Sequence, residues 1–118
     1  MHTLNNFKVN KDSTILEVLQ VINNNQSRCA LVMQEDKVLG VISEGDILRG
    51  LIKNMDIHAS IRDLFQINLK FLDTHDYSKA LKLFTEHGIS LIPILDKNFR
   101  LLSLITLNEV LKKTQLRN

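Results

Sequence analysis

The sequence contains no tryptophan, one tyrosine, one proline and one cysteine among its 118 residues. A single cysteine excludes an internal disulfide framework and is typical of a reducing cytoplasm, the compartment that we expect. Few aromatic rings and a formal charge of only +2 argue against a nucleic-acid partner. The sequence has no series of aromatic residues on which bases could stack and no cluster of basic residues that could bind the phosphate backbone. No apolar run approaches the ~20 residues that a membrane span needs, and no secretory signal opens the chain.

The residue patterns of metal sites and of enzymes are also missing. The histidines (His2, His58, His75 and His87) show no metal-binding spacing and have no cysteine pair nearby. No histidine stands beside a serine or cysteine, and no glycine-rich loop suits a phosphate. Cys29 lies in an apolar run, which favours core packing over a reactive role. We therefore expect a non-catalytic protein that requires no metal and no cofactor.

What the sequence does contain is a strand, a turn and a helix start within residues 38–51. Apolar strand-forming residues surround Gly40, and helical spacing of apolar residues follows after residue 46. Ser43 and Asp46 stand at the junction, three residues apart. This spacing is typical of a capping box that only satisfies helix N–H groups, the interpretation favoured by these residues alone. It also suits a nucleotide, with phosphate at the helix N-terminus and ribose hydroxyls on the carboxylate.

The whole unit recurs about 62 residues further along the chain, as an internal repeat. Gly40 to Leu48 aligns with Ser103 to Leu111, and the hydroxyl and the acid recur as Thr106 and Glu109. Units of this size bury too little surface to be stable alone, so we expect residues 7–65 and 66–118 to share one core. In the second copy serine replaces the glycine and glutamate replaces the aspartate, which favours the first copy as the better site.

Hydrophobic periodicity and turn residues predict a β-α-β-β-α order in each half, and therefore a mixed α/β (α+β) fold. Residues 54–68 connect the two halves, and we call them the connector. They are predicted to form one or two helical turns packed on the body, because Ser60 and Asp63 resemble a cap. The apolar residues after Ser60 follow helical spacing: Ile61, Leu64 and Phe65. The predicted strands are 7–9, 28–34, 38–42, 69–72, 91–95 and 101–105, and the predicted helices are 14–24, 44–53, 76–88 and 107–113.

This repeat resembles a tandem pair of CBS domains (cystathionine-β-synthase-type domains, a Bateman module). The resemblance rests on the Gly40–Leu48 motif and on residues 89–96, which are similar to the proline-containing core strand of the family. Residues 43–53 are most similar to CBS pairs attached to sugar-nucleotide transferases and sugar-phosphate isomerases. No such enzyme portion is contained in the sequence, so an excised or a free-standing regulatory region is implied.

The resemblance implies that adenine nucleotides (AMP, ADP, ATP) or related adenosyl ligands bind in clefts between the two repeats and regulate an attached or partner enzyme. Asp46 would hold the ribose and Ser43 the phosphate, while Arg49 is either a further phosphate contact or a solvated side chain. The remaining implied ligand contacts are Arg28, Cys29 and Ala30 in the first cleft and Thr106, Glu109, Ile89, Ser90, Leu91 and Ile92 in the second.

The alternative is a ligand-free dimerisation scaffold whose sites are vestigial, and a free-standing enzyme is a weaker third interpretation. Either a sensor or a scaffold is expected to form a homodimer, since CBS pairs commonly associate through the helices that end each half. Those helices, 44–53 and 107–113, carry apolar residues that one repeat pair would leave partly uncovered: Leu48, Leu51, Ile52, Val110 and Leu111.

Overall fold

The computed structural model describes the backbone of residues 3–116 and the side chains of residues 3–113. His2 and the last two residues of the expected second unit, 117–118, lie outside the described residues. The elements are a 3₁₀ helix at Leu4–Phe7, β1 (Lys8–Asn10), α1 (Ile15–Asn25), β2 (Cys29–Gln34), β3 (Lys37–Ser43), α2 (Glu44–Ile52), α3 (Tyr77–His87), β4 (Leu91–Leu95), β5 (Leu101–Thr106) and α4 (Leu107–Leu116).

The first half has the predicted β-α-β-β-α order. β1 pairs in parallel with β2, and β2 pairs antiparallel with β3, in one three-stranded sheet. α1 begins at a complete capping box, because Thr14 accepts the Glu17 N–H and the Glu17 side chain accepts the Thr14 N–H. It ends where Gln26 adopts a left-handed backbone, directly after three asparagines at 23–25 and close to the predicted end at residue 24.

The second half lacks the predicted strand at 69–72. Within this segment only Leu72 pairs, in an isolated parallel bridge with Ile94 beside β4. The alternating residues pack against different partners, since Leu69 lies against the core that both halves share and Phe71 stacks edge-on against Phe99. The observed order is therefore α3-β4-β5-α4, with β4 and β5 in an antiparallel two-stranded sheet.

The connector forms turns instead of the predicted helix. Its backbone bonds to the start of α1, with the Ile15 N–H donating to the Ala59 carbonyl and the Ile61 N–H donating to the Ser13 carbonyl, at 3.0 and 2.9 Å. These bonds tie both sides of Ser60 to the start of α1. The predicted packing is nevertheless confirmed, because Ile61 is fully buried and Leu64 and Phe65 pack on the first core.

The two faces of β2 and the two faces of β4 contribute to three apolar clusters. Ala30 and Val32 of β2 face a core inside the first half, and Ile92 and Ile94 of β4 face a core inside the second half. The opposite faces of both strands meet in a cluster that we call the shared layer: Phe7, Cys29, Leu31, Met33, Val38, Leu91, Leu95 and Leu104. Both halves thus contribute to one cluster, as predicted, but each half also has a core of its own. Each hairpin carries a register shift at the equivalent place.

Candidate functional site

A cavity of about 890 Å³ is lined by both halves, at the end of the shared layer where β2 and β4 begin. Its size lies within the range of small-molecule sites in proteins, about 300–1,000 Å³. The lining residues are Gln26, Ser27, Arg28, Cys29, Leu31, Val41, Ser43, Asp46, Arg49, Gln66, Asn68, Leu69, Lys70, Phe84, His87, Gly88, Ile89, Ser90, Leu91, Pro93, Leu107 and Asn108.

Ser43 and Asp46 form a complete capping box at the start of α2. The Asp46 N–H donates to the Ser43 Oγ at 3.2 Å, and the Ser43 N–H donates to the Asp46 carboxylate at 2.9 Å. The capping interpretation is therefore confirmed. Both residues also line the cavity, so the same pair stands where a ligand could reach it.

The Asp46 carboxylate is buried, with only 3% of the residue exposed, and both of its oxygens are occupied. The Ser43 Oγ donates to one oxygen at 3.0 Å. The other oxygen accepts from the Arg49 guanidinium and, at 3.2 Å, from the Gln66 Nε2. Ribose hydroxyls could bind this carboxylate only in exchange for Arg49 or Gln66.

Gln66 was missed by the sequence interpretation because it belongs to no motif. It lies in the connector, and its backbone pairs with Val41 of β3 through bonds of 2.8 and 2.9 Å. The pairing is long-range, so no local pattern reveals it. Asn68, Lys70 and His87 also line the cavity without a sequence signal.

Residues 28–30 are at the start of β2, as expected, but only two of them line the cavity. Arg28 is exposed and has a positive φ of 64°, and its carbonyl accepts the Glu44 N–H at 3.0 Å. Cys29 is buried, and its burial raises the pKa of the thiol to about 11, so it forms part of the cavity wall as a neutral side chain. Ala30 faces the first core and does not line the cavity.

In the second half, the predicted site residues just before and at the start of β4 reach the cavity, and so do Leu107 and Asn108 at the start of α4, whereas the predicted pair Thr106 and Glu109 does not. Ile89, Ser90 and Leu91 are lining residues, whereas Ile92 belongs to the second core. The Ser90 hydroxyl donates to the Ser27 carbonyl, which ties the two strand starts together.

Thr106 and Glu109 form the second predicted pair, and they do not line the cavity. The Thr106 N–H donates to the Glu109 carboxylate at 2.8 Å, and the Glu109 N–H donates to the Thr106 Oγ1 at 3.2 Å, so this pair is also a cap. The Tyr77 hydroxyl donates to the other carboxylate oxygen at 3.1 Å. Partial burial and this hydrogen bond raise the pKa of Tyr77. Lys113 lies over the Tyr77 ring, 4.2 Å from its centroid.

The profile of the family described as "CBS domain" matches residues 1–53 and 61–115. The chain belongs to the CBS domain family. Known structures agree with this assignment. A CBS domain protein from Pyrobaculum aerophilum, crystallised in complex with AMP, aligns with a TM-score of 0.74 at 19% identity, covering 98% of this CBS pair and 99% of that chain. A CBS domain pair/ACT domain protein from Thermotoga maritima aligns with a TM-score of 0.75 at 22% identity, covering 93% and 88%.

Curated relatives are longer than this CBS pair. Proteins described as uncharacterized match 70% of the chain: one from Helicobacter pylori at 26% identity over 84 residues, and one from Methanopyrus kandleri at 28% over 86. The match covers 26% of the first relative and 43% of the second, so the chain spans less than half of either. Among residues 3–116, no helix is long and apolar enough to cross a membrane. The described residues of the CBS pair also contain no group of three metal-ligating side chains.

Proposed function

We propose that this CBS pair is a non-catalytic regulatory module that binds an adenine nucleotide, or a related adenosyl ligand, in the cavity between its halves. The observation that carries the proposal is the lining of that cavity, to which both repeats contribute the starts of their core strands. The AMP complex of the Pyrobaculum aerophilum protein, whose fold matches nearly end to end, supports the choice of ligand.

In this proposal the base lies against the apolar wall near Cys29 and Leu91. The ribose hydroxyls bind Asp46, displacing the Gln66 amide, and the phosphate lies near Ser43 at the N-terminus of α2. The cavity does not extend to Thr106, Glu109 or Ile92. Ile92 is buried in the second core, and the Glu109 carboxylate already accepts from the Tyr77 hydroxyl. The first cleft is therefore the one on which the proposal depends.

The proposed signal is a change in how the two halves are oriented. A ligand that contacts both repeats favours the arrangement in which both sets of contacts form, and it shifts the population toward that arrangement. An attached or partner enzyme that binds the same arrangement more tightly would respond, since such coupling is reciprocal. The similarity of residues 43–53 to CBS pairs of sugar-nucleotide enzymes favours a cytoplasmic partner of that class.

We expect adenine nucleotides to raise the thermal midpoint of the purified protein. A ligand present at 100 times its dissociation constant adds about 2.7 kcal/mol to the free energy of unfolding. The measurement is a thermal shift with adenosine, AMP, ADP, ATP and S-adenosylmethionine, with cytidine nucleotides as the matched control for phosphate charge. No stabilisation by any adenine compound at millimolar concentration would contradict the proposal and favour the ligand-free scaffold.

We further propose that the protein forms a homodimer through α2 and α4. Leu48 and Ile52 lie one turn apart on α2 and are 58% and 79% exposed, and Leu111 of α4 is 46% exposed. Two residues named from the sequence do not belong to this surface: Val110 is buried in the second core, and Leu51 packs on the first.

The dimer is tested by sedimentation of Ile52→Glu at tens of micromolar. We expect this variant to sediment as a monomer, because a charge on the interface would have to be desolvated. Leu81→Glu on α3 is the control, since that leucine is also exposed but lies outside the proposed interface. A wild-type protein that is monomeric at these concentrations would rule the dimer out.

A further inference from the structure

We infer that the connector is a segment that responds to the ligand. Gln66 of the connector competes with the ligand for the Asp46 carboxylate, and a ligand bound at Asp46 releases this end of the connector from β3. The inference rests on the proposed function, because it concerns the same cavity. It adds the contact that opposes binding and the segment of the chain that changes when the ligand binds.

The Asp46 carboxylate accepts four hydrogen bonds, which fills the roughly four acceptor positions of a carboxylate. One oxygen accepts from the N–H and from the hydroxyl of Ser43. The other oxygen accepts from the Arg49 guanidinium and, at 3.2 Å, from the Gln66 Nε2. A ribose hydroxyl can therefore bind this carboxylate only where one of these donors leaves.

Gln66 is the donor whose departure is least unfavourable. Both Ser43 groups belong to the cap of α2. Departure of Arg49 would leave a buried carboxylate without its cationic partner. The Gln66 amide is neutral, and a ribose hydroxyl is also a neutral donor, so their exchange keeps both the charge balance and the number of donors. Gln66 is exposed, so water can solvate the released amide.

Gln66 also attaches the end of the connector to β3. Its N–H donates to the Val41 carbonyl at 2.8 Å, and its carbonyl accepts the Val41 N–H at 2.9 Å, in an isolated bridge. The bridge and the contact with Asp46 hold the same residue, so each contact favours the other. Loss of the Asp46 contact therefore makes local opening of the bridge easier.

The first repeat differs from the second at the two positions that this arrangement requires. A Cβ at Gly40 would lie 2.1 Å from the Gln66 carbonyl oxygen, so glycine is needed for the connector to approach β3 so closely. The counterpart in the second repeat is Ser103, which carries a side chain. The counterpart acid, Glu109, accepts from Tyr77 on α3 and not from a connecting segment. The competing contact is thus a property of the first repeat.

The first test is calorimetric titration of the full chain and of Gln66→Ala with AMP. We expect Gln66→Ala to bind AMP about tenfold more tightly, because the ligand no longer has to displace a donor from a charged acceptor. Without AMP, the same variant should have a lower thermal midpoint than the wild type, since it lacks that hydrogen bond. Gln66→Met keeps the length of the side chain without the donor and should show the same two changes.

Asn68→Ala is the matched control for this titration. Asn68 is an exposed amide in the connector and also lines the cavity, but it is not among the donors to Asp46. Its replacement should leave AMP affinity within about threefold of the wild type. A side chain that binds the ligand would instead lower the affinity when it is removed, and a purely structural one would leave it unchanged.

The second test is amide hydrogen exchange of the wild type, followed by NMR with and without saturating AMP. The Gln66 N–H, which bonds to Val41, should exchange up to about tenfold faster with AMP, because one contact that holds this residue is lost. The Ile61 N–H bonds to the Ser13 carbonyl at the other end of the connector and should keep its rate.

The inference is overturned if both Gln66 variants bind AMP no more tightly than the wild type, or if AMP slows exchange of the Gln66 N–H or leaves it unchanged. Those results would leave the proposed function standing, because AMP would still bind. If neither the wild type nor Gln66→Ala binds AMP or any other adenine compound, the proposed function is wrong and the inference falls with it.

Discussion

Gly40→Ala is expected to lower the free energy of unfolding by about 3 kcal/mol, since forcing a methyl group into packed structure is costly. A Cβ at this position would lie 2.1 Å from the Gln66 carbonyl oxygen and 3.0 Å from the Phe65 ring. The obstacle is backbone, which cannot rotate away as a side chain could. The connector would have to leave β3, so both hydrogen bonds between Val41 and Gln66 would be strained or lost.

Urea unfolding followed by circular dichroism measures this loss, and Ser103→Ala is the matched control. Ser103 is the repeat counterpart of Gly40, and its hydroxyl lies 3.3 Å from the His75 Nδ1 in an exposed contact. Losing that contact should cost about 1 kcal/mol or less. If Gly40→Ala costs no more than Ser103→Ala, the close approach of the connector to β3 is wrong.

Asp46→Asn is expected to lower both stability and affinity for adenine nucleotides. The asparagine side chain keeps one acceptor oxygen but loses the negative charge that faces Arg49. Its N–H₂ group would also lie next to the donors that bind the carboxylate in the wild type. The cost in free energy of unfolding should be about 1–3 kcal/mol, more than the loss of a cap charge alone. If the carboxylate accepts both ribose hydroxyls, affinity should fall about ten- to a hundredfold.

Calorimetric titration with AMP, at a temperature well below the thermal midpoint, separates the effect on affinity from the effect on stability. Glu109→Gln is the internal control. Glu109 caps α4 and accepts from Tyr77, and it does not line the cavity. That variant should therefore lose stability and keep most of its affinity. If wild type binds AMP and Asp46→Asn binds it equally well, the ribose assignment is wrong and Asp46 acts only as a cap.

The sequence predicted the features that depend on local chemistry. The cap at Ser43 and the predicted helix bounds near Thr14, Asp76 and Gly88 follow from side-chain and backbone preferences within a few residues, and the structure has a cap or a left-handed end at each. The two core strands β2 and β4 were also predictable, because runs that are apolar on both faces indicate burial between two layers.

Features that depend on distant partners were not predictable. Ser60 looked like a helix cap, but the groups around it bond to the start of α1. Residues 69–72 were predicted as a strand, yet only Leu72 pairs, with Ile94, while Leu69 packs against the shared layer and Phe71 packs against Phe99. In the site, Gln66 and Lys70 reach the cavity only through the fold of the connector and of the segment 69–72 that follows it. The sequence motif therefore located the start of α2 and the Asp46 carboxylate. The fold adds Gln66, which competes with a ligand for hydrogen bonds to that carboxylate.

Because of the shared layer, folding of this protein includes the association of two repeats that belong to the same chain. Each repeat presents an apolar strand face whose partner lies in the other repeat, and the connector holds the two at an effective concentration in the millimolar range. A single proteolytic cut in the connector would remove that advantage. Folding would then become bimolecular, and the fraction folded would fall on dilution, which it does not do for the intact chain.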